Sequence, residues 1–245
     1  MRRSLMGFGL VCAALTLAAT TATAANGDGR IGAAVAVRNQ VTGSQNGQDH
    51  PLAVGGSIFT NERISTGADS VAQLMFTDQT TLSIAPRSQV TLDRYVYDPN
   101  RSAGDVAVSF SSGAMRFVTG SQDPHNYQVH TPVATIGVRG TIVDLLMIDG
   151  RMFAILDEGR VILTLADGTT IELNHPGTAI EFFSNGTASH PFTWRGSYES
   201  SLGGATFPLF GNPFSDFPGL EGANDADDPT NRTDDLNAGE SRSND

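Results

Sequence analysis

The sequence predicts an all-β protein, an antiparallel β-sandwich or a jelly-roll-like domain. Between residues 31 and 194 apolar and polar residues alternate in short runs, as where Val106, Val108 and Phe110 alternate with Ala107 and Ser109. A period of two places one side of a strand on a core, and no stretch here has a helical repeat. Turn signals separate the runs: Gly55-Gly56, Asp98-Pro99-Asn100, Asp149-Gly150, Asp167-Gly168 and Asn185-Gly186.

Residues 1–24 have the features of a secretory signal peptide. Arg2 and Arg3 precede a short apolar run, and an A-x-A site ends at Ala24. We therefore expect an exported protein, periplasmic or extracellular, that does not span the membrane when mature; an uncleaved N-terminal anchor is the alternative. The only cysteine, Cys12, lies inside this segment, so the mature chain would hold no disulfide and no thiolate site.

Residues 31–195 form the predicted β domain, and two of its turns have the chemistry of tight hairpins. Asp149-Gly150 and Asp167-Gly168 each join two β-rich runs, and an Asp-Gly pair tolerates the positive φ angles of a type I′ turn. Residues 142–148 are apolar on both faces except for Asp144, which predicts a central strand covered on two sides.

One nine-residue stretch is repeated in similar form. Residues 76–84, FTDQTTLSI, are similar to residues 165–173, LADGTTIEL, and a proline-containing kink follows each of them. Two similar units that pack face to face would bury a shared core. Chance similarity between two β-hairpins is the alternative.

The charge balance limits the classes of partner. The chain of 245 residues carries a net charge of -11 and contains no lysine. Nucleic acids and anionic membranes are bound through clustered positive charge, so neither is an expected partner.

The C-terminal region divides into two segments. Residues 196–221 are rich in aromatic residues, proline and glycine, and the prolines exclude a regular helix. We expect this segment to lie across the domain as a strap, with docking of a partner as the alternative. Residues 222–245 are acidic and nearly free of apolar residues, so we expect them to be disordered.

Several motifs in order resemble a FecR-type domain. They are GGSIFTNERISTGADSVAQLMFTDQTTLSIAPRSQVTL from residue 55, SGAMRFVTG from residue 112, VHTPVATIGVRGT from residue 129 and AILDEGRVILTLADGTTIEL from residue 154. The resemblance covers residues 54–183, and its most specific part is the G-x-R-G-T motif at residues 137–141. It implies an all-β, non-catalytic extracytoplasmic domain. Signalling members relay the state of an outer-membrane receptor to a sigma factor through a cytoplasmic segment. In this chain we expect only a signal peptide before the domain, so we do not expect direct contact with a sigma factor.

The G-x-R-G-T motif supplies the candidate binding residues Gly137, Arg139, Gly140 and Thr141. We expect a turn between two strands, because both glycines can adopt backbone angles closed to other residues. In a structural role, Arg139 would pair with a carboxylate, for which the candidates are Asp144, Asp157 and Glu158. In a functional role, its guanidinium would face a ligand carboxylate or a partner protein.

The sequence contains no convincing catalytic arrangement. The five histidines lack metal-ligand spacing, and neither a nucleophile elbow nor a phosphate loop is present. Asp157 and Glu158 point to opposite faces of a strand, so they cannot form a glycosidase pair with each other. We expect no cofactor, no metal and no enzyme activity; an envelope carbohydrate hydrolase is the least supported alternative.

These observations predict a binding module of FecR type. Its partner would be an envelope or extracellular protein, or a polysaccharide, recognised at a sheet edge or at a groove near residues 137–141. The alternative is a structural or secreted interaction protein that assembles through its C-terminal segment.

Overall fold

The computed structural model describes residues 29–100 and 104–196, together with Phe207. The described residues form sixteen strands and one short 3-10 helix. The strands are β1 Arg30–Arg38, β2 Val41–Gln45, β3 Gln48–Pro51, β4 Ser57–Phe59, β5 Glu62–Thr66, β6 Val71–Phe76, β7 Thr81–Ile84, β8 Gln89–Val96, β9 Asp105–Ser112, β10 Ala114–Val118, β11 Tyr127–His130, β12 Ala134–Ile148, β13 Arg151–Leu165, β14 Thr170–Leu173, β15 Thr178–Phe182 and β16 Phe192–Thr193. The 3-10 helix is Pro124–Asn126.

The strands form one curled sheet, which confirms the predicted all-β class. Its order is β3-β2-β5-β8-β9-β11-β12-β10-β7-β6-β1-β4, and β13 extends it from β12 to β14, β15 and β16. All pairs are antiparallel except β9 with β11. A parallel pair requires a crossover, which β10 and the 3-10 helix provide. β11 and β10 then pair with the first and second halves of one edge of β12, and β13 pairs along its other edge.

Curling brings the inner faces of distant strands together in one core. Phe110, Met115, Phe117, Ile136 and Leu145 are among its largest side chains, and each is at most 1% exposed. Full burial of such a side chain contributes about 1.5–3 kcal/mol. A core of this size stabilises the fold without a disulfide.

The hairpin of β12 and β13 is the longest element and joins two parts of the sheet. Its turn, Asp149-Gly150, has φ angles of 50° and 75°, which confirms the predicted type I′ turn. The same prediction is wrong for Asp167-Gly168, where only the glycine is left-handed, with φ 84°. That loop has three residues, and a glycine in the left-handed region closes it.

The similar stretches at residues 76–84 and 165–173 form the same kind of hairpin. Phe76 N donates to Thr80 O and Leu165 N donates to Thr169 O, both at 2.9 Å. Gln79 takes the left-handed position that glycine holds in the second loop, with φ 70°.

A third loop, at residues 183–187, has this geometry without the flanking similarity. Phe183 N donates to Thr187 O at 2.8 Å. In the three loops the side chains of Asp78, Asp167 and Asn185 accept from the backbone N–H two residues later, at 3.1, 2.8 and 3.0 Å. Local turn chemistry therefore accounts for the similarity.

The outer face of the sheet carries a second, smaller core near the Asp149-Gly150 turn. It consists of Ala85, Ala114, Leu146, Ile155 and Ala179, against which Ile148, Trp194 and Phe207 pack. Trp194 contacts Phe153 with ring centroids 5.5 Å apart, and the Phe207 ring lies 5.3 Å from the Arg116 guanidinium carbon. Both faces of residues 143–146 are thus buried, which confirms the central strand predicted for residues 142–148.

Three predicted segments lie wholly or mostly outside the described residues. They are the signal peptide at residues 1–24, the strap at residues 196–221 apart from residue 196 and Phe207, and the acidic tail at residues 222–245. Within the described part of the chain, no helix has the length and apolar character needed to cross a membrane.

Candidate functional site

The G-x-R-G-T motif lies inside strand β12 and not in a turn. β12 is continuous from Ala134–Ile148, and its pairing with β13 is interrupted only by shifts of register between Arg139 and Val143. The expectation of a turn is therefore wrong, because the motif forms a β-bulge. A bulge adds residues to one strand and bends it without ending the sheet.

Glycines on both strands make the bulge possible. Gly140 has φ 56° and Gly159, across from it on β13, has φ 80°, both in the left-handed region. A Cβ atom on Gly159 would overlap the carbonyl oxygen of Gly140. Gly137, in contrast, has no positive φ, and a Cβ there would meet only Ile162 O, at 3.7 Å.

Thr141 holds the bulge together from within. It is 2% exposed, and its Oγ1 accepts from Arg139 N at 2.8 Å and donates to Arg160 O at 2.7 Å. On the other side, Thr141 N donates to Thr119 Oγ1 at 2.8 Å, so β10 is also tied to the bulge. The hydroxyl of Thr141 is thus fully engaged in the fold.

Two further threonines of the motifs have similar structural roles. Thr66 Oγ1 donates to Ala85 O at 2.6 Å and accepts from Ser88 N at 2.9 Å. Thr131 Oγ1 donates to Ala134 O at 2.8 Å and caps the turn before β12. Much of the motif pattern therefore stabilises turns and bulges.

The carboxylates considered as partners of Arg139 lie elsewhere. Asp144 accepts from Arg116 Nε at 2.7 Å and from its second guanidinium nitrogen at 2.8 Å, and Asp157 lies 3.1 Å from Arg116. Glu158 pairs in register with Ile142, at the bulge. Within the described residues Arg139 makes no ion pair, so the expected structural pairing is wrong for all three candidates.

Arg139 lines a groove on the outer face of β11, β12 and β13. The groove has a volume of about 200 Å³, and its walls include Gln128, Thr135, Gly137, Ile162 and Thr164. The 3-10 helix closes one end with Pro124 and His125. The groove therefore has one fixed positive charge among hydroxyl and amide groups.

Asp123, an acid whose electrostatics Arg139 affects, has a partner of its own. Asp123 accepts from His125 N at 2.9 Å and lies 2.7 Å from His125 Nδ1. These bonds to His125, and more weakly the charge of Arg139, lower the pKa of Asp123. Arg139 thus acts on Asp123 only through space.

The fold also buries two acids that were not among the predicted site residues, Glu62 and Asp78. Glu62 is 0% exposed; its Oε2 accepts from Phe59 N at 2.8 Å, while His50 Nε2 lies 3.2 Å from Oε1. Burial raises the pKa of Glu62 against the opposing effects of these two neighbours. Asp78 is 1% exposed and accepts from Thr80 Oγ1 at 2.7 Å and from the Tyr127 hydroxyl at 2.8 Å.

Burial also raises the pKa of Tyr127, reinforced by the adjacent charge of Asp78. A signal for Asp78 was present in the sequence, because an aspartate two residues before a threonine in a hairpin loop is a typical turn cap. No local signal marks Glu62. Its burial depends on Gly43, where a side chain would overlap the Glu62 carboxylate.

No cluster of three or more potential metal-ligating His, Cys, Asp or Glu side chains is found in the described ranges. The five histidines are accordingly not gathered around one site there.

Comparison with known proteins identifies a family for the central part of the chain. Residues 62–161 match the family model described as FecR protein, which confirms the FecR-type resemblance over that range. This match supports a regulatory or binding module. No curated protein matches the chain.

Among solved structures, two crystal structures of a candidate anti-sigma factor from Parabacteroides distasonis are similar. Each has a TM-score of 0.43, and the sequence identities are 18% and 17%. The similarity covers 54% of this chain and 59% of the other chain. The present chain thus matches less than two thirds of the length of those proteins.

Proposed function

We propose that this chain is a non-catalytic, extracytoplasmic binding module that recognises an envelope or surface protein, or an extracellular polymer, at the groove beside Arg139. The observation that carries this proposal is the difference between the two halves of the β12–β13 hairpin. Near its turn, Trp194 and Phe207 cover the outer face. Near its open end the outer face holds the groove instead, and no described segment covers it.

The residues of the G-x-R-G-T motif have different roles in the fold, and this difference supports the same site. Gly140 and Thr141 are used by the bulge, as is Gly159 across the hairpin. The fold uses the backbone of Arg139 but gives its side chain no ion pair in the described part of the chain, and the backbone of Gly137 tolerates a side chain. The partner would therefore contact the Arg139 side chain and occupy the open space above Gly137.

Export and lack of catalysis are parts of the proposal. The signal-peptide pattern of residues 1–24 supports export, and the FecR match supports a regulatory rather than an enzymatic role. Among the described residues that line the groove are one arginine and one histidine but no carboxylate, so the groove lacks a pair of acids for general acid–base catalysis.

The test is a pull-down of envelope and secreted proteins, and of extracellular polymer, with the full chain. Wild type is compared with Arg139→Ala and with Gly137→Val, which fills the groove from its floor. Arg151→Ala is the control, because Arg151 is an exposed arginine at the other end of the same hairpin. All variants must first show wild-type thermal unfolding.

Loss of one specific partner with Arg139→Ala and Gly137→Val, but not with Arg151→Ala, supports the proposal. An unchanged set of partners in folded Gly137→Val protein refutes it. Truncation before residue 222 and then before residue 205 tests the alternative: assembly that disappears with the tail would indicate a structural protein acting through its C-terminal segment.

A further inference from the structure

Two arginines face each other across the strands that form the groove. Arg139 on β12 pairs in register with Arg160 on β13, so their side chains leave the same outer face of the sheet. Like charges directly opposite each other destabilise a sheet. The arrangement is notable in a chain whose net charge is -11 and whose basic residues number 15 against 26 acidic ones.

Only one of the two charges is compensated by an ion pair on this face. Arg160 Nε lies 3.1 Å from Glu172 Oε1 on β14. Arg139 has no such partner within the described residues, and Asp123 is occupied by His125. The open end of the hairpin therefore holds one guanidinium without an ion pair within the described residues, and it lines a groove where an anion would be stabilised.

The groove is built to hold a small anionic group in one position. The backbone N–H of Arg139 is bonded to Thr141 Oγ1 at 2.8 Å, which fixes the point from which the guanidinium extends. Thr135, Thr164 and Gln128 place hydroxyl and amide groups along the walls. A guanidinium binds a carboxylate through two parallel N–H bonds, and the neutral groups can bond its remaining lone pairs.

We propose that the groove binds a carboxylate side chain of an extended acidic peptide segment on the partner; this inference rests on the proposed function. Two observations favour a peptide over an acidic polysaccharide. Among the residues that line the groove, Tyr127 alone carries a benzene ring, and it is 1% exposed with its hydroxyl bonded to Asp78, so no such ring is open to stack on a sugar.

The second observation is the edge of β14. Within the described residues β14 pairs with β13 alone, so one row of its backbone groups is open to an added strand. An extended peptide can form main-chain hydrogen bonds with such an edge, whereas a polysaccharide cannot match its register. The edge and the groove lie on the same end of the hairpin, since Ile162 and Thr164 of the groove pair with Glu172 and Thr170 of β14.

The experiment measures binding of three fluorescein-labelled probes to the full chain by fluorescence anisotropy. The probes are a peptide of four Glu-Thr repeats, a peptide of four Gln-Thr repeats and an oligogalacturonate of matched charge. The proteins are wild type, Arg139→Gln, Gly137→Val and Arg151→Gln. Arg139→Gln and Arg151→Gln each remove one positive charge, so they separate a local site from the overall charge of the protein.

The Glu-Thr peptide should bind wild type, and loss of a charge-assisted bond should weaken it roughly tenfold or more in Arg139→Gln. Gly137→Val should weaken it similarly, Arg151→Gln should change it less than about twofold, and higher salt should reduce it. The Gln-Thr peptide should bind far more weakly.

Three results would overturn the inference: equal binding of the Glu-Thr and Gln-Thr peptides, equal losses in Arg139→Gln and Arg151→Gln, or tighter binding of the oligogalacturonate at the same residues. If the pull-down loses a partner with Gly137→Val while no probe binds, the proposed function stands and the carboxylate assignment falls. If Gly137→Val changes neither the pull-down nor probe binding, both fall.

Discussion

Replacing Arg116 by methionine should destabilise the fold strongly, although Arg116 is outside the candidate site. Asp144 is 0% exposed and would lose two hydrogen bonds from Arg116, at 2.7 and 2.8 Å. Removing one partner of a buried ion pair costs about 3–5 kcal/mol, because the other charge stays buried. Arg116 is 14% exposed, so water can reach the site in part, and we expect the lower end, about 3 kcal/mol.

For a domain of this size, a loss of about 3 kcal/mol lowers the midpoint of thermal unfolding by about 6–12 °C. Urea unfolding gives the free energy directly. Two probes are available: far-UV circular dichroism for the sheet, and the fluorescence of Trp194, the only tryptophan, which packs on the same outer face. Coincident transitions by both probes would justify a two-state treatment.

The double variant Arg116→Met with Asp144→Leu is the matched control. Around this pair the outer face is apolar, formed by Ala114, Leu146 and Ile155, so an uncharged pair should pack there and restore most of the lost stability. Stability of Arg116→Met within about 1 kcal/mol of wild type would refute the reasoning. So would a double variant as unstable as the single one, since the cost would then come from lost packing and not from the buried charge.

Three other predictions concern glycines and buried polar groups. In urea unfolding, Gly140→Ala should lower the free energy of unfolding by about 1–2 kcal/mol, and Gly159→Ala should lower it several times more, because of the three glycines only Gly159 has a position at which a Cβ would overlap backbone. Gly137→Ala should be neutral or stabilising by up to about 1 kcal/mol. Equal losses at the three sites would contradict the bulge. Burial raises the pKa of Glu62 above its ordinary value of 4.5, so the contribution of Glu62 to stability is present below pH 4.5 and declines as the pH rises through the folded pKa. Glu62→Gln should therefore flatten the fall in the unfolding midpoint between about pH 4 and about pH 8. A pH profile parallel to that of wild type would count against this reasoning. Tyr127→Phe should cost about 1–3 kcal/mol in urea unfolding, since it removes the hydroxyl bonded to a buried aspartate, and a neutral result would show that water replaces that bond.

The parts of the fold that depend on local chemistry could be predicted from the sequence. The Asp149-Gly150 turn and the central strand at residues 142–148 were predicted correctly, because a turn type and a two-sided apolar run are both encoded by adjacent residues. The pairing of β9 with β11 could not be predicted. It depends on β10 and β11 pairing with different halves of one edge of β12, which is set by contacts distant in sequence.

The bulge was mistaken for a turn although a signal for it was present. Ile136 and Val138 face the core before the bulge, and Val143 and Leu145 face it afterwards. The core positions change from even to odd numbers, and only an inserted residue can make that change within one strand. Gly140 alone does not distinguish the two structures, because a left-handed glycine serves either a turn or a bulge.

Closeness in sequence does not predict the ion pairs of Arg139, since the nearby acids Asp144 and Asp157 lie beside Arg116. Asp144 is bound by Arg116 because β10 and β12 pair with these two residues in register. Such a pairing depends on the fold of the whole sheet and has no local signature. Arg139 pairs in register with Arg160 instead, and this opposition of like charges is one of the observations from which the anion site is proposed.

The G-x-R-G-T motif at residues 137–141 and the EGRV sequence at residues 158–161 become one feature once the hairpin is folded. Gly140 and Thr141 lie on one side of the bulge and Gly159 on the other, with Thr141 Oγ1 bonded to the backbone of Arg160. Most of the pattern by which the family is recognised therefore specifies a backbone geometry and, in itself, says nothing about a partner. The side chain of Arg139 is the part of the motif that this geometry does not use, and the bulge nevertheless fixes its position at the groove. We therefore expect the Arg139 side chain to matter for binding and not for stability. The Arg139→Gln protein should fold with wild-type stability and lose its ligand.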